Sequence, residues 1–299
     1  MEKVLVTGGS GYIAQHCLAE LLKKGYSVRT SLRSENREAE VRQAIAKEVD
    51  AKNNLEFCQL DLNKDEGWND AMIGCSYVLH VASPFHFKEP KNENDVIIPA
   101  KEGTIRALKA AKKANIKKLI LTSSVAAIQY GHDDPDKVFD HNDWTNIEGK
   151  NVTPYVKSKT IAEKAAWDFM ESKGMKNKLT TINPGGVFGD ALDIKGGTSI
   201  EYIRQFLKGK FPAAPKFAVL ISDVKDVAKS HIACIDNKSV GGRRLIVGKE
   251  VKKLVELSQI MSDAMPEYSK KLPKKELPNF MLKLISYLDS SAKTMIPDL

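Results

Sequence analysis

"KVLVTGGSGYIAQHCLAELLKKG", residues 3–25, runs from a short apolar segment through a glycine-rich turn into a helical pattern that stops at a glycine. The first part is brief and rich in Val and Leu on both faces, as a buried parallel strand is. Gly8 and Gly11 let the chain turn tightly and bring backbone N–H groups close to a pyrophosphate. The helix that follows would add the positive end of its dipole. Ala14 completes a G-x-x-G-x-x-A spacing and is small enough to let helix pack closely on strand. Thr7, Tyr12 and Ile13 flank the turn and join the residues expected at the phosphates, and Gly25 closes the helix. The stretch predicts the first βα unit of a dinucleotide-binding fold.

Working outward, the same alternation continues. Short apolar runs stand at 26–32, 55–60, 77–82, 118–123 and 179–183, with helical patterns between them, such as 95–115 with Pro99 as a kink or a start. Strands alternating with helices imply a doubly wound parallel sheet, an α/β Rossmann arrangement. After about residue 184 the rhythm loosens. "NPGGVFGDALDIKGG" (183–197) is a glycine-rich loop and "FPAAPKFAVLIS" (211–222) holds one further strand. The expected division is a nucleotide-binding domain over 1–184, with returning segments near 216–248. A smaller substrate lobe would come from 185–215 and 249–299. "PNFMLKLISYLD" (278–289) looks amphipathic and is expected to pack on the body.

Composition narrows the class. With 299 residues, 42% hydrophobic and 28% charged, the chain reads as an ordinary globular protein. The net charge of +8 is spread among acids, as in "KNENDV" and "HDDPDK", and the run "KKLPKKE" at 270–276 lacks interleaved aromatics. That argues against a nucleic-acid or membrane surface, while a mildly positive field suits an anionic cofactor. Cys17, Cys58, Cys75 and Cys234 show no C-x-x-C spacing, which implies reduced thiols, no metal site and a cytoplasmic location. Glu2 and the short apolar run after it do not make a signal peptide, and no apolar stretch reaches the roughly 20 residues of a membrane span. Monomer and homodimer are equally compatible with these features.

The ends of the strands carry the cofactor expectations. NAD-binding chains place an acid at the end of the second strand to hold the ribose 2′-hydroxyl. Here that position is Arg33, with no acid before Glu35. An arginine can grip a 2′-phosphate bidentately, so NADP is favoured over NAD. Asp61 and Leu62 end the third strand, placed to meet the adenine. Val81, Ala82 and Ser83, in "HVASP", end the fourth, where the strand order should reverse and the cofactor should cross.

"TPYVKSKTIAEKAAWDF" (153–169) opens a further helix, with Thr153 as N-cap and Pro154 at the first helical position. Tyr155 and Lys159 are four apart and share a face, whereas Lys157 falls elsewhere. Of the 8 tyrosines only Tyr155 has a lysine at i+4. Geometry alone permits a proton-transfer pair or two ordinary residues of an amphipathic helix.

With "TGGSGYIA", "DL", "VASPF", "LTSSVAA" and "YVKSK" in this order, the chain resembles the extended short-chain dehydrogenase/reductases over residues 3 to about 248. More narrowly it is similar to the dihydroflavonol 4-reductase-like branch, with its carbonyl, methylglyoxal and isovaleraldehyde reductases. The resemblance implies a catalytic Ser124, Tyr155 and Lys159, with Ser123 as a supporting neighbour. It implies hydride transfer from NADPH to a small-molecule aldehyde or ketone, Ser124 donating to the carbonyl oxygen and Tyr155 delivering the proton. Lys159 would lower the Tyr155 pKa and reach the nicotinamide ribose. Thr122, Pro184, Val187 and Ser199 would also meet the cofactor, and Phe85, Gln129 and Tyr130 the substrate, with Phe87 and Ile128 extending an apolar wall. "TPYVKSK" departs from the N-W-Y-C-Y-G-K of cinnamoyl-CoA reductases, and Gln129 from the Asn of flavonoid reducers. Both departures point to other carbonyls. A nucleotide-sugar epimerase or dehydratase and a non-enzymatic redox sensor are the rival readings. The short region after 184 and Arg33 disfavour the first, and the intact Ser, Tyr and Lys the second.

Overall fold

A computed structural model describes residues 2–84, 90–134, 136–193 and 197–287. In chain order the first half runs β1 (Lys3–Thr7), α1 (Tyr12–Lys23), β2 (Ser27–Leu32), α2 (Glu38–Ala46), β3 (Leu55–Gln59), α3 (Trp68–Met72), β4 (Tyr77–His80), α4 (Asn94–Lys113) and β5 (Lys118–Thr122). The second half continues α5 (Pro154–Ser172), β6 (Leu179–Pro184), β7 (Gly186–Phe188), α6 (Thr198–Leu207), β8 (Ala214–Pro215), β9 (Ala218–Asp223), α7 (Val224–Asp236), β10 (Arg244–Val247), β11 (Glu250–Lys253), α8 (Leu254–Ala264), β12 (Glu276–Leu277) and α9 (Asn279–Ser286).

Among the described residues the main sheet has seven strands in the order β10-β6-β5-β4-β1-β2-β3, every pair parallel. The order turns back between β1 and β4, which makes the switch point of a doubly wound sheet. Alternate side chains of each strand face opposite helical layers. Val4 and Val6 of β1 enter the cluster with α1, α2 and α7, whereas Leu5 enters the one with α3, α4 and α5. Both faces are therefore apolar, and each fully buried Val or Leu contributes on the order of 1.5–3 kcal/mol.

Two boundaries differ from the sequence expectation for a visible reason. β4 ends at His80, because the N–H groups of Val81 and Ala82 turn to the Thr7 hydroxyl (3.1 and 3.0 Å) instead of continuing a ladder. Of the two readings of Pro99, kink or start, the start does not hold: α4 begins at Asn94 and runs through the proline.

The remaining elements gather beside the C-terminal ends of the main strands. β7, β9 and β11 form a small sheet, and β8 pairs with β12. Phe206, Ala214 and Leu272 make a separate core there. α9 packs less than its amphipathic pattern suggests. Among its described side chains only Leu282 is buried, against Tyr202, Phe211, Phe217 and Leu277. The β12–β8 pairing just before α9 fixes its entry, and Phe280 and Leu284 face outward at 65% and 62% exposure. No helix of the described residues is long and apolar enough to cross a membrane, and the four cysteines are free thiols.

Candidate active site

The phosphate turn is built from glycines that cannot be replaced cheaply. Gly8 has φ +73, and a Cβ there would sit 3.0–3.1 Å from Ala82. Its N–H donates to the Ser31 hydroxyl at 2.9 Å, and the Gly11 N–H donates to the Gly8 carbonyl at 2.8 Å. No side chain caps α1 at Gly11, so the first turn, with Tyr12 and Ile13, presents backbone N–H groups and a positive dipole at the switch point. This is a cradle suited to a dinucleotide pyrophosphate.

Thr7 ties that turn to β4. Its oxygen accepts from Val81 and Ala82, so its hydroxyl hydrogen goes to His80 Nδ1 at 2.9 Å. His80 is thereby fixed with its proton on Nε2, set edge-on to Trp68 at 6.0 Å between ring centroids. Burial, helped by the nearby Lys159 charge, lowers its pKa to about 4, so it is neutral and structural.

Tyr12 is buried rather than turned towards the open cradle. Its hydroxyl donates to the Gly189 carbonyl at 2.9 Å, and Gly197 lies against its ring so closely that a Cβ would meet it at 2.6 Å. Ser199 sits in the first turn of the helix that follows. Gln15 and His16 also reach 189–193, by bonds of 2.7 Å to Asp193 and 2.9 Å to the Asp190 carbonyl. One face of α1 thus fastens the loop after β7.

Arg33 is exposed, just past β2. Arg37, one turn on, pairs with Glu40 at 2.9 Å and approaches Asp193 at 4.0 Å. Arg37 is thus a second guanidinium near the end of β2, and its i+4 spacing from Arg33 is the one sequence signal for it. Asp61 accepts from the Asn63 N–H at 2.9 Å and Leu62 packs on Gly103 of α4.

The Ser, Tyr and Lys come together at the C-terminal ends of β4 and β5. The Thr153 hydroxyl caps α5 by accepting from Val156 N–H at 3.4 Å, with Pro154 opening the helix. Tyr155 hydrogen-bonds Ser124, and Lys159 Nζ lies 5.9 Å from the Tyr155 ring centroid. Lys159 also donates to Ser83 at 3.0 Å. Lys157 points elsewhere and pairs with Glu93 at 2.8 Å. Burial raises the Tyr155 pKa, partly offset by the Ser124 hydrogen bond, which keeps its hydroxyl protonated at neutral pH. Burial lowers the Lys159 pKa to about 8 against the opposing pull of Glu163.

The other expected residues fall into two groups. Pro184 is buried and its carbonyl lies 3.5 Å from the Ser124 hydroxyl, while Val187 follows on β7. Gln129 and Tyr130 are half-buried in the segment after Ser124, with Tyr130 N–H on Thr145 at 3.1 Å. Three side chains are committed elsewhere. The Thr122 hydroxyl donates to His231 of α7 at 2.7 Å, the Ser123 hydroxyl to Glu163 at 2.5 Å, and Ile128 is 1% exposed. The Thr122 hydroxyl is thus engaged, although the residue still lines the small cavity beside Ser83 and Lys159. Phe85 and Phe87 lie outside the described residues.

A model described as the NAD dependent epimerase/dehydratase family matches residues 4–248. The chain belongs to that family. Within this epimerase/dehydratase family, the grouping that the motifs resembled, its similarities run to reductases. It is 35% identical to the cinnamoyl-CoA reductase CAD2 of Medicago truncatula, over 91% of this chain and 83% of that protein. It is 33% identical to a putative NADPH-dependent methylglyoxal reductase, GRP2, of Candida albicans, over 91% and 85%. The yeast methylglyoxal/isovaleraldehyde reductase Gre2, solved with NADPH, superposes with a TM-score of 0.81 at 26% identity, covering 98% of both chains.

Proposed function

We propose that this family member is an NADPH-dependent reductase that converts a small or medium-sized aldehyde or ketone to the alcohol. The observation that carries the reading is the protonated, half-buried Tyr155 hydroxyl hydrogen-bonded to Ser124 with Lys159 beside it. The reductases among its relatives support the same class over sugar epimerisation.

The residues at the switch point fit a dinucleotide: a glycine cradle that a Cβ would fill, and an uncapped helix N-terminus. Gly8, Gly11 and the first turn of α1 would hold the pyrophosphate, with Arg33 at the 2′-phosphate. When bound, NADPH supplies the hydride. Ser124 orients the carbonyl oxygen and donates to it as negative charge develops. Tyr155 then gives that oxygen its proton, and Lys159 stabilises the phenolate left behind.

The experiment follows NADPH, and separately NADH, by absorbance against methylglyoxal, isovaleraldehyde, phenylglyoxal and a β-keto ester. NADPH oxidation with any of them is expected; silence, with NAD retained on the purified protein, would favour epimerase or dehydratase chemistry. Arg33→Asp should lower the NADPH/NADH ratio of kcat/KM roughly 10- to 150-fold, the worth of a charge-assisted hydrogen bond of about 1.5–3 kcal/mol. An unchanged ratio would assign the 2′-phosphate to another group, with Arg37 the first candidate.

The pH dependence follows from Lys159. Its lowered pKa means the ammonium is intact at neutral pH and is lost as pH rises through about 8. The kcat/KM for carbonyl reduction should therefore be flat near pH 7 and fall on the alkaline side from about 8. A profile flat to pH 10 would remove Lys159 from the chemistry.

A further inference from the structure

We propose that Glu163 is a positioning residue for this site: its carboxylate, paired with Arg244, fixes the loop that carries Ser124 and sets the charge beside Lys159. The inference rests on the reductase reading above.

Tyr155, Lys159 and Glu163 follow one another at four-residue steps, so they form one stripe along α5. Glu163 is 1% exposed, and a charge so deep must be compensated. Its counter-ion is Arg244 from β10, with Nε on Oε1 at 2.6 Å and a side chain only 8% exposed. The carboxylate also accepts from Ser123 at 2.5 Å, Asn183 Nδ2 at 2.8 Å, Thr181 at 3.1 Å and Trp167 at 3.2 Å.

Two of those partners lead into the site. Asn183 Nδ2 donates to the Ser124 carbonyl at 3.1 Å as well as to Glu163, so the carboxylate holds the backbone of that serine through one amide. Arg244 stacks on Trp144 at 3.7 Å and donates to the carbonyls of Ala127 (3.2 Å), His141 (3.1 Å) and Asp143. The segment just after Ser124 and the one around Trp144 thus hang on the same ion pair.

The third link is electrostatic. Lys159 and Glu163 line one small cavity of about 20 Å³ under the sheet ends. The groups facing Lys159 are Tyr155 on its own helix, Ser83 after β4, neutral His80 and Glu163. Glu163 is the carboxylate that raises the Lys159 pKa against burial. A purely structural role would not need a charge here, because a buried ion pair is often no more stabilising than an apolar pair of similar size.

The test neutralises both charges at once, in Glu163→Gln/Arg244→Met, so that neither partner is stranded. Lys159 is labelled with acetic anhydride over a pH series and its peptide followed by mass spectrometry, a readout that needs no turnover. Half-labelling should move to lower pH by about one unit, the size of a single nearby charge. With NADPH and a reducible aldehyde, the alkaline limb of kcat/KM should move with it. Asn183→Ala, which keeps the ion pair and breaks the link to Ser124, should lower kcat about tenfold while labelling stays at the wild-type pH. Unmoved labelling in the double variant, or wild-type kcat in Asn183→Ala, overturns the proposal. If the double variant does not fold, the same labelling of Glu163→Gln decides the charge: a shift of half-labelling to lower pH supports the proposal and an unmoved value overturns it. Loss of turnover in wild type would instead count against the reductase reading and leave the labelling result standing by itself.

Discussion

Replacing Tyr155 by phenylalanine is expected to lower kcat for carbonyl reduction by roughly 10²- to 10⁴-fold, the range of a general acid. The substitution removes one oxygen and keeps the ring that packs at the start of α5. Its hydroxyl is the group hydrogen-bonded to Ser124, so the loss falls on proton delivery, while the glycine cradle at Gly8 and Gly11 is untouched. Affinity for NADPH, measured by fluorescence titration, should stay within a few-fold. Normal turnover by this variant would sink the assignment of Tyr155 as the acid. A parallel loss of cofactor binding would mean the ring's main work is structural.

The largest effect on stability is expected from Arg244→Met. The pair it forms with Glu163 is among the most deeply buried of the charged contacts, with side-chain exposures of 8% and 0%. Removing one member of such a pair strands the other and costs about 3–5 kcal/mol. In a chain of this size that lowers Tm by roughly 5–8 °C. Thermal unfolding followed by circular dichroism measures it. A melting temperature within a degree of wild type would show that Ser123, Thr181, Trp167 and Asn183 alone satisfy the Glu163 carboxylate. Adding Glu163→Gln to Arg244→Met should recover much of the loss, since no charge is then left uncompensated.

Much of this architecture could be read from the chain. β1, β4 and β5, at the centre of the sheet, are apolar on both faces because helices cover both, and each shows as a short apolar run. β10 was harder. It opens with Arg244, which in a sequence reads as surface, and only the fold supplies the buried acid that lets a buried arginine start this edge strand. β7, β8, β11 and β12 are two to four residues long, too short to carry any periodicity.

The site divides along the same line. Thr153, Pro154, Tyr155 and Lys159 lie within seven residues, so cap, helix and shared face were all local signals. Glu163 continues that face and was passed over, because its partner stands 81 residues further along the chain. Thr122 stands at a strand end, which makes it a cofactor candidate, but where its hydroxyl goes is not a local matter. Its hydroxyl instead serves His231, since α7 packs against that side of β5, and nothing near residue 122 announces a helix more than a hundred residues away.

The position of Arg244 has a consequence for how the protein is born. The serine, the tyrosine, the lysine and the glycine turn all lie before residue 160 and are synthesised well before residue 244 is added. Until that arginine emerges, Glu163 has no counter-ion, and the helix carrying Tyr155 and Lys159 cannot bury its inner stripe without cost. A nascent chain is therefore held back from closing its reaction centre until synthesis has delivered the last strand of the sheet.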